Sequence, residues 1–226
     1  MKLLIIIPAY NEAENIEWVV EDIINNYPQY DYVIVNDGSK DETKEICEKK
    51  GYNILNLPVN LGLAGAVQTG MKYAYENGFD AAIQYDGDGQ HDAAYIGKMC
   101  EALAEGNDIV IGSRFVTGKK DHSPRMIGSR VIEKMIIIRT GVKINDPTSG
   151  MRLFSRKMLK EFAYGMNFGP EPDTVSYLIQ KGAKVKEVQV VMKERIAGVS
   201  YLSFWKSIAY MMRMAVSILI IQFFRK

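Results

Sequence analysis

The stretch LLIIIPAYNE, residues 3–12, gives the first indication of how strands and helices are ordered in this chain. Its five-residue apolar run ends at Pro8 and is too short for the hydrophobic core of a secretory signal or for a membrane span. The run fits a buried strand instead. Asn11 and Glu14 follow at the spacing of a helix capping box, so we expect a helix to begin directly after this strand.

The same alternation continues as far as Ile111. Strands that alternate with helices form a mostly parallel sheet with helices on both faces, so the expected fold class is α/β. Ligands of such sheets bind in the crevice at the carboxyl ends of the strands. Further strands are predicted at residues 32–35, 53–57, 81–85 and 109–111, and helices at residues 41–50, 63–76 and 93–105.

The composition is that of an ordinary globular chain, with a formal net charge of +1 and 47% hydrophobic residues. It excludes the collagen-like, low-complexity and disulfide-scaffold classes, and the near-neutral total gives no indication of nucleic-acid binding. Cys47 and Cys100 have neither metal nor redox spacing, so we expect reduced thiols in a cytosolic protein.

The charge is divided unevenly along the chain. Residues 1–113 contain 7 basic and 19 acidic residues, residues 114–160 contain 12 and 3, and residues 193–226 contain 6 and 1. An acidic half followed by a basic half suggests that the second half meets an anionic ligand. A solvated basic face is the alternative interpretation of the same pattern.

Polar and small residues follow the predicted strands. No G-x-G-x-x-G or Walker A pattern follows the first strand, which disfavours dinucleotide and P-loop sites. Asp37 follows the second strand, where it could make a turn or accept hydrogen bonds from a base or ribose. Small residues at 60–66 open the next helix, where they would let a phosphate approach the helix start or allow close helix packing.

The most informative stretch is DGDGQHD, residues 86–92, after the fourth strand. Asp86 and Asp88 can turn toward one divalent cation, and their oxygens suit Mg²⁺ or Mn²⁺ bridging a substrate diphosphate. An EF-hand is excluded because its twelfth position is Gly97, and the scarcity of histidines disfavours zinc. A solvated acidic turn is the alternative. His91 fits a structural or outer-shell role better than that of a ligand.

Short motifs at the strand ends carry a family resemblance. With PAYNE at residues 8–12, NDGS at 36–39, NLG at 60–62 and DGD at 86–88, the sequence resembles the family-2 glycosyltransferases, which have the GT-A fold. A narrower resemblance is to the branch that glycosylates polyprenyl phosphates such as dolichyl and undecaprenyl phosphate. That branch is indicated by DGDGQH at 86–91, GSR at 112–114, DPTSGMR at 146–152 and RIAGVS at 195–200.

The resemblance implies roles for individual residues. The nucleoside of a sugar donor would be held by Pro8, Tyr10, Glu12 and Asp37, with Gly62 and Asp86 also on the donor side and Arg195 against the donor diphosphate. The metal ligands would be Asp86, Asp88 and Gln90, and Asp88 would also face the diphosphate. The acceptor phosphate would be gripped by Arg114, Arg125 and Ser129. Tyr201 departs from the pattern, because many relatives have Lys there.

Residue types and spacing agree with these roles. Arginine offers a planar fork of donors for phosphate oxygens, and a cation would let the acidic first half accept a diphosphate. Pro124 is a plausible first helical residue, which would place Arg125 and Ser129, four residues apart, on one helix face.

The resemblance also implies direct displacement at the anomeric carbon with inversion. A phosphate acceptor is already ionised at neutral pH and needs no strong general base. A sugar-hydroxyl acceptor would need a carboxylate to take its proton. The candidates for that base are Asp146 and Asp173, with Glu171 behind them, although Asp146 could equally be the turn residue before Pro147.

Residues 201–226 are expected to form an appendage to a glycosyltransferase domain at 1–200, itself made of a donor and metal half (1–113) and an acceptor half (114–200). The appendage is mainly apolar, with Lys206, Arg213 and Ser217 as a narrow polar stripe at helical spacing. Its uncharged run after Arg213 is too short to span a bilayer, so a basic amphipathic helix in the membrane interface is expected, with burial in a dimer interface as the alternative.

The predicted enzyme is therefore peripheral, at the cytoplasmic face of the membrane. It would transfer a hexose from a nucleotide sugar, with a UDP-hexose favoured over a GDP-sugar, to a polyprenyl phosphate. Two alternatives remain: transfer to a lipid-linked saccharide, and a non-catalytic subunit that binds nucleotide sugars.

Overall fold

A computed structural model describes residues 1–118, 120–121, 123–165, 169, 171–192 and 204–221, without the side chains of 124–125, 204–209 and 221. The described residues form one seven-stranded sheet flanked by helices. The strands are β1 (Leu3–Ala9), β2 (Asp31–Asn36), β3 (Ile54–Asn56), β4 (Ala81–Gln84), β5 (Ile109–Ser113), β6 (Arg152–Ser155) and β7 (Val185–Gln189).

The order of the strands in the sheet is β3-β2-β1-β4-β6-β5-β7. The pairs β1–β2, β2–β3, β1–β4 and β5–β7 are parallel, whereas β6 is antiparallel to both of its neighbours. The predicted α/β class with a mostly parallel sheet is therefore confirmed. The parallel strands β1, β2 and β4 bring their carboxyl ends to one edge, where the loops predicted to carry function emerge.

Helices cover both faces of the sheet. They are α1 (Ile16–Asn26), α2 (Thr43–Lys50), α3 (Gly62–Glu76), α4 (Ile96–Ala104), α5 (Pro124–Thr140), α6 (Arg156–Tyr164), α7 (Pro172–Gln180) and α8 (Phe204–Val216). A short 3-10 turn precedes α4, and a π-helical turn at Ser217–Ile221 continues α8.

The apolar run of β1 is buried on both sides of the sheet, which explains why it shows no polar alternation. Leu4 and Ile6 pack in one core with α3, α5, α6 and α7. Ile5 and Ile7 pack in a second core with α1 and α4 on the opposite face. Both cysteines are free, and burial raises the pKa of each thiol to about 11, which favours the protonated thiol at neutral pH.

The predicted start of α1 is wrong. The helix begins at Ile16 instead of directly after the strand, and Asn11 has a φ of 56°, in the left-handed region. The Asn11 N–H donates to Ser39 Oγ (3.0 Å) and the Glu12 N–H donates to Thr43 Oγ1 (2.9 Å). The capping box does not form because these backbone donors are satisfied by the neighbouring loop.

The first turn of α5 agrees with its sequence. Pro124 is the first helical residue, and Ser123 caps the helix by accepting from the Met126 N–H. Farther along, Gly128 faces Met211 of α8 so closely that a Cβ added to it would overlap the sulfur. Within the described part of the chain, no helix is long and apolar enough to cross a bilayer.

Candidate active site

The ends of β1 and β2 form the first wall of the candidate site. Asp37, which is 3% exposed, donates from its N–H to the Ala9 carbonyl (2.8 Å) and accepts at Oδ1 from the Leu61 N–H (2.7 Å). This carboxylate therefore ties the ends of β1 and β2 to the residue before α3. Asp37 therefore makes turn contacts, one of the two roles that the sequence suggested for it. These contacts also hold its carboxylate in place.

Two predicted donor residues follow Pro8 in the loop after β1. Tyr10 is 39% exposed at the edge of the sheet, where a flat ring is open to a ligand. Glu12 accepts at Oε2 from the Asn15 side-chain amide (2.8 Å), which holds its carboxylate beside the start of α1. Because this loop is hydrogen bonded to the loop after β2, the two loops form one surface.

The start of α3 forms the next part of the site. Gly62 begins the helix with a φ of 76°, a conformation that favours glycine. The N-cap residue, Leu61, makes no side-chain hydrogen bond to the first turn of the helix. The Gly62 N–H instead donates to Asn60 Oδ1 (3.1 Å). Gly169 lies against Ala64, since a Cβ on Gly169 would be 3.0 Å from the Ala64 Cβ. Gly169 therefore reaches this helix start.

Asp86 lies just beyond β4 and is framed by His91. The Asp86 N–H donates to His91 Nδ1 (2.9 Å), and His91 Nε2 lies 3.4 Å from Asp86 Oδ2. The imidazole is 2% exposed, and the Tyr85 hydroxyl donates to the His91 carbonyl (2.7 Å). The buried ring therefore holds the backbone and carboxylate of Asp86, as either a structural or an outer-shell residue would.

Asp88 completes the acidic pair. It is 6% exposed, and its Oδ1 accepts from the N–H of Gln90 (3.0 Å). Gly87, between the two aspartates, packs against the end of β1, where an added Cβ would lie 3.3 Å from the Pro8 carbonyl oxygen. The predicted metal-binding motif and the predicted nucleoside-binding loop are therefore direct neighbours.

The acidic loop suits a cation shared with a substrate. Among the described residues, no three His, Cys, Asp or Glu side chains are grouped to enclose a metal. Mg²⁺ and similar ions are commonly held by one or two carboxylates together with substrate phosphates and water. Gly150 leaves room for this beside Asp86, because a Cβ there would lie 2.9 Å from Asp86 Oδ2. The residues present fit that open mode of binding.

Arg114 and Asp146 form a bidentate ion pair after β5. Nε of Arg114 lies 2.7 Å from Oδ2 of Asp146, Nη2 lies 2.8 Å from Oδ1, and the Arg114 N–H also donates to Oδ2 (3.2 Å). Asp146 is fully buried, and the Arg114 side chain is 21% exposed. Both oxygens of the carboxylate are engaged, so its geometry suits holding the arginine better than accepting a proton.

Glu187 belongs to this region, although no motif or spacing predicted it. Its Oε1 accepts from the Asp146 N–H and its Oε2 from the Asn145 N–H and side-chain amide, each at 2.8 Å. Glu187 lies on β7, far from Asp146 in sequence, so only the sheet brings the two together.

Arg152 is a second residue that sequence reasoning left without a role, although it belongs to the DPTSGMR motif. It is 1% exposed, donates from Nη2 to the Pro147 carbonyl (2.7 Å), and pairs in the sheet with Gln84 of β4. Burial lowers the pKa of the guanidinium. Nearby acidic groups partly offset this by raising the pKa, and they are Tyr210, Glu171, Asp146 and Asp173. Arg152 is therefore the buried cation among the three predicted candidate bases.

The C-terminal helix contacts two of these carboxylates. The Tyr210 hydroxyl and the exposed Arg213 donate to Glu171, and the Ser217 hydroxyl donates to Asp173. These contacts were not predicted. Arg213 and Ser217, two members of the polar stripe described above, therefore face the start of α7. The side chain of Lys206 lies outside the described residues.

The remaining predicted acceptor residues are only partly described. Ser129 is 1% exposed on α5 and accepts a hydrogen bond from Lys120 Nζ (3.1 Å). Arg125 lies on the same helix, four residues before Ser129, but its side chain lies outside the described residues, as does the whole of Arg195. The structure thus joins Asp86, Asp88 and Pro8 in one group and Arg114 and Asp146 in another.

Gly150 connects these two groups. It belongs to the loop between α5 and β6 that also carries Asp146, and it lies against Asp86 and His91. The acidic loop after β4 and the loop that carries Asp146 are therefore neighbours.

Comparisons with known proteins agree with this architecture. Residues 4–163 match the family described as Glycosyl transferase family 2. The chain is 28% identical to the polyprenol monophosphomannose synthase of Mycolicibacterium smegmatis, over 89% of this chain and 81% of that protein. It is 32% identical to the UDP-N-acetylglucosamine–dolichyl-phosphate N-acetylglucosaminyltransferase of Methanococcus voltae, over 70% and 71%.

Solved structures show the same fold. The glucosyl-3-phosphoglycerate synthase of Mycobacterium tuberculosis, solved with Mn²⁺, UDP-glucose and phosphoglyceric acid, superposes with a TM-score of 0.69 at 17% identity. That match covers 98% of this chain and 79% of the synthase, and it supports the predicted GT-A architecture. The family match over residues 4–163, on a sheet that places the acidic motif at its carboxyl edge, shows that this chain is a glycosyltransferase belonging to glycosyl transferase family 2.

Proposed function

We propose that this glycosyltransferase moves a hexose from a nucleotide sugar to a polyprenyl phosphate, with a divalent cation and with inversion at the anomeric carbon. The observation that supports the proposal most is the close approach of Gly150 to Asp86, since the loop that carries Asp146 and the acidic loop after β4 are then neighbours, as transfer between two bound substrates would require. Two relatives whose names include polyprenol and dolichyl phosphate support this acceptor class.

The donor would lie along the ends of β1, β2 and β4. In this proposal the nucleoside contacts Pro8, Tyr10, Glu12 and Asp37, and the diphosphate lies between the start of α3 at Gly62 and the acidic loop. A UDP-hexose is the favoured donor and a GDP-sugar the second. The Mycobacterium tuberculosis synthase solved with UDP-glucose supports the first choice through its shared fold. Arg195, outside the described residues, is proposed to contact the diphosphate.

Asp86, Asp88 and Gln90 would hold Mg²⁺ or Mn²⁺. The ion would neutralise the leaving nucleoside diphosphate, which is the contribution that such ions make to phosphate chemistry. The protein's own part is to fix both carboxylates: His91 orients Asp86, and the Gln90 N–H orients Asp88. Burial of Asp88 also limits the access of water to this side of the reaction.

The acceptor phosphate would meet Arg114, Arg125 and Ser129. Asp146 holds the Arg114 fork in place and thereby presents its remaining donors in a fixed orientation. A phosphomonoester has its second pKa near about 6, so it arrives ionised at neutral pH and attacks without a base. This agrees with the observation that the candidate bases Asp146 and Asp173 are already hydrogen bonded within the protein.

We further propose that α5 and α8 dock on the cytoplasmic face of the membrane, and that the protein is peripheral. Among the described side chains at 210–220, Tyr210 and Ser217 turn toward the start of α7, whereas several apolar side chains are exposed, which suits burial in the lipid interface. The exposed apolar side chains on the two helices are Ile127, Val131, Ile138, Met212 and Val216, followed by Leu219 and Ile220 in the π-helical turn. A homodimer interface is the alternative occupant of this face.

The deciding experiment is a transfer assay with purified protein, Mn²⁺ and a panel of radiolabelled nucleotide sugars. Each donor is offered undecaprenyl phosphate or a lipid-linked saccharide as acceptor. We expect a glycolipid only with the polyprenyl phosphate. Transfer to the saccharide alone would support the alternative glycosyltransferase reaction. Donor binding without any product would support the non-catalytic subunit and overturn the proposal.

A further inference from the structure

Lys120 occupies an unusual place for a lysine. Its side chain is 7% exposed, and Nζ donates to Ser129 Oγ (3.1 Å) and to Glu133 Oε2 (2.9 Å). Ser129 and Glu133 are one turn apart on α5, so the ammonium bridges two successive turns of the helix that carries predicted acceptor residues. Sequence reasoning assigned no role to Lys120 or Glu133.

A cavity of about 480 Å³ opens beside this ammonium. Three of its lining residues are cations and one is a carboxylate, so the cavity favours an anion. The Arg130 guanidinium donates to the Lys120 carbonyl (2.7 Å), which fixes the backbone at the cavity wall. The lining residues are Phe115, Gly118, Lys120, Arg130, Glu133, Lys134 and Asn145.

Phe115, which lines the cavity, also contacts Arg114. The Phe115 ring lies 5.1 Å from the Arg114 guanidinium carbon and 5.6 Å from Lys120 Nζ, so both cations lie near one aromatic ring. Arg114 is neutralised by its bidentate partner Asp146. A phosphate dianion that met Arg114 alone would therefore lack a compensating charge, whereas Lys120 is a compact cation on a flexible stem.

We propose that Lys120 is a ligand of the acceptor phosphate and that this cavity receives the phosphomonoester, with Glu133 holding the ammonium until the acceptor displaces it. The inference rests on the proposed function, because it names a further residue for the same acceptor. It predicts opposite effects for the two partners of one ion pair. Removing the lysine charge weakens acceptor binding, and removing the competing carboxylate charge strengthens it.

The experiment measures steady-state transfer to farnesyl phosphate, a short polyprenyl phosphate that avoids any need for a membrane. In Lys120→Gln we expect the KM for farnesyl phosphate to rise about tenfold or more, with kcat and the donor KM within about twofold of wild type. In Glu133→Gln we expect the same KM to fall by about twofold or more. Lys98→Gln, on the exposed face of α4, is the matched control and should change neither constant.

A purely structural ion pair gives a different result. In that case Lys120→Gln and Glu133→Gln would lower the melting temperature alike and leave the KM for farnesyl phosphate unchanged, which would overturn the inference. If Lys120→Gln does not fold, Lys120→Arg and Glu133→Gln still decide. Lys120→Arg keeps the charge and should retain the wild-type KM within about threefold.

Inorganic phosphate tests whether Lys120 binds the phosphate group itself or the polyprenyl chain of the acceptor. We expect it to compete with farnesyl phosphate in the wild type, and to compete at least about tenfold more weakly in Lys120→Gln. Equal competition in both proteins would contradict a phosphate contact by Lys120. Wild-type protein that transfers no sugar to farnesyl phosphate or to undecaprenyl phosphate would instead contradict the proposed function itself, so the two failures are distinguishable.

Discussion

Arg114 and Asp146 are joined by two parallel hydrogen bonds of 2.7 and 2.8 Å, although 32 residues separate them in the sequence. The carboxylate is fully buried, and Glu187 of β7 fixes its backbone. Such a pair holds the arginine at a defined place at the end of β5 and leaves the carboxylate little freedom to take up a proton. The arrangement favours an acceptor that brings its own negative charge.

Asp146→Asn breaks this pair and leaves a partly buried guanidinium without its counter-ion. We expect the free energy of unfolding to fall by about 2–4 kcal/mol, because loss of one partner of a buried pair leaves an uncompensated charge. Urea denaturation measures the change. Glu48→Gln, which removes the exposed Lys44–Glu48 pair, is the control and should cost less than about 0.5 kcal/mol. Equal losses in the two variants would contradict the structural role of Asp146.

Gly150→Ala tests the open space beside Asp86. The added Cβ would lie 2.9 Å from Asp86 Oδ2, so the carboxylate must shift, and we expect the Mn²⁺ concentration for half-maximal transfer to rise about tenfold. Gly97→Ala on α4 is the control, since the nearest atom to its added Cβ is 4.0 Å away. An unchanged Mn²⁺ requirement in Gly150→Ala would show that Asp86 does not bind the ion through this oxygen.

Asp88→Asn removes one proposed metal ligand without changing the shape of the side chain. We expect transfer to fall by about a thousandfold or more while the melting temperature stays near that of wild type. Circular dichroism provides the folding control. Transfer retained by a folded Asp88→Asn protein would overturn the metal assignment.

Stability should fall at alkaline pH because buried tyrosines have raised pKa values. Burial raises the pKa of Tyr210 and Tyr85 above the ordinary value of 10.0, and for Tyr210 the neighbouring Glu171 adds to the shift. A raised pKa in the folded state gives a contribution that is complete below about pH 10 and is lost as the pH rises toward the folded-state value. These groups should therefore leave the urea midpoint unchanged up to about pH 9 and lower it as the pH rises above about 10.

The variant Tyr210→Phe shows how much of the pH dependence of the urea midpoint comes from the Tyr210 hydroxyl. The variant loses the hydrogen bond to Glu171, which we expect to cost about 1 kcal/mol or somewhat more near neutral pH. Its urea midpoint should also fall less steeply at alkaline pH than that of the wild type. A slope equal to that of the wild type would mean that Tyr210 is not one of the groups that titrate with unfolding.

The apolar face of α5 and α8 is tested with vesicles of phosphatidylglycerol. We expect Ile138→Glu, at a side chain that is 78% exposed, to reduce cosedimentation with vesicles while transfer to farnesyl phosphate stays within about twofold. Ile24→Glu, on α1 at the opposite face of the sheet, is the matched control. If the wild type does not sediment with vesicles and instead elutes as a dimer that Ile138→Glu dissociates, the face is a protein interface.

Local pattern predicted much of this fold. The strands were recognisable because apolar runs of limited length were bounded by turn residues, and the site loops because each followed a strand. The start of α1 was not predictable in this way. Its capping residues were in place, but Ser39 and Thr43 satisfy the backbone of the preceding loop, and nothing within that loop signals their proximity.

The site itself divides along the same line. The roles proposed for Asp86, Asp88 and His91 rest on one short stretch of sequence, and in the structure the three residues lie together after β4. The contacts of Glu187 with the Asp146 loop and of Ser217 with Asp173 depend on the sheet and on the packing of α8, so they required three dimensions. Arg152 lay within a quoted motif, but only its burial shows that it is central.

The position of β6 has a consequence for biosynthesis. β6 comes from the second half of the chain, yet it lies between β4 and β5, which both come from the first half. A nascent chain that has emerged only as far as β5 has no strand with which to join β5 to the growing sheet. The strands β3, β2, β1 and β4 are neighbours without any help from the second half, but β5 can join them only after residues 152–155 of β6 have been synthesised.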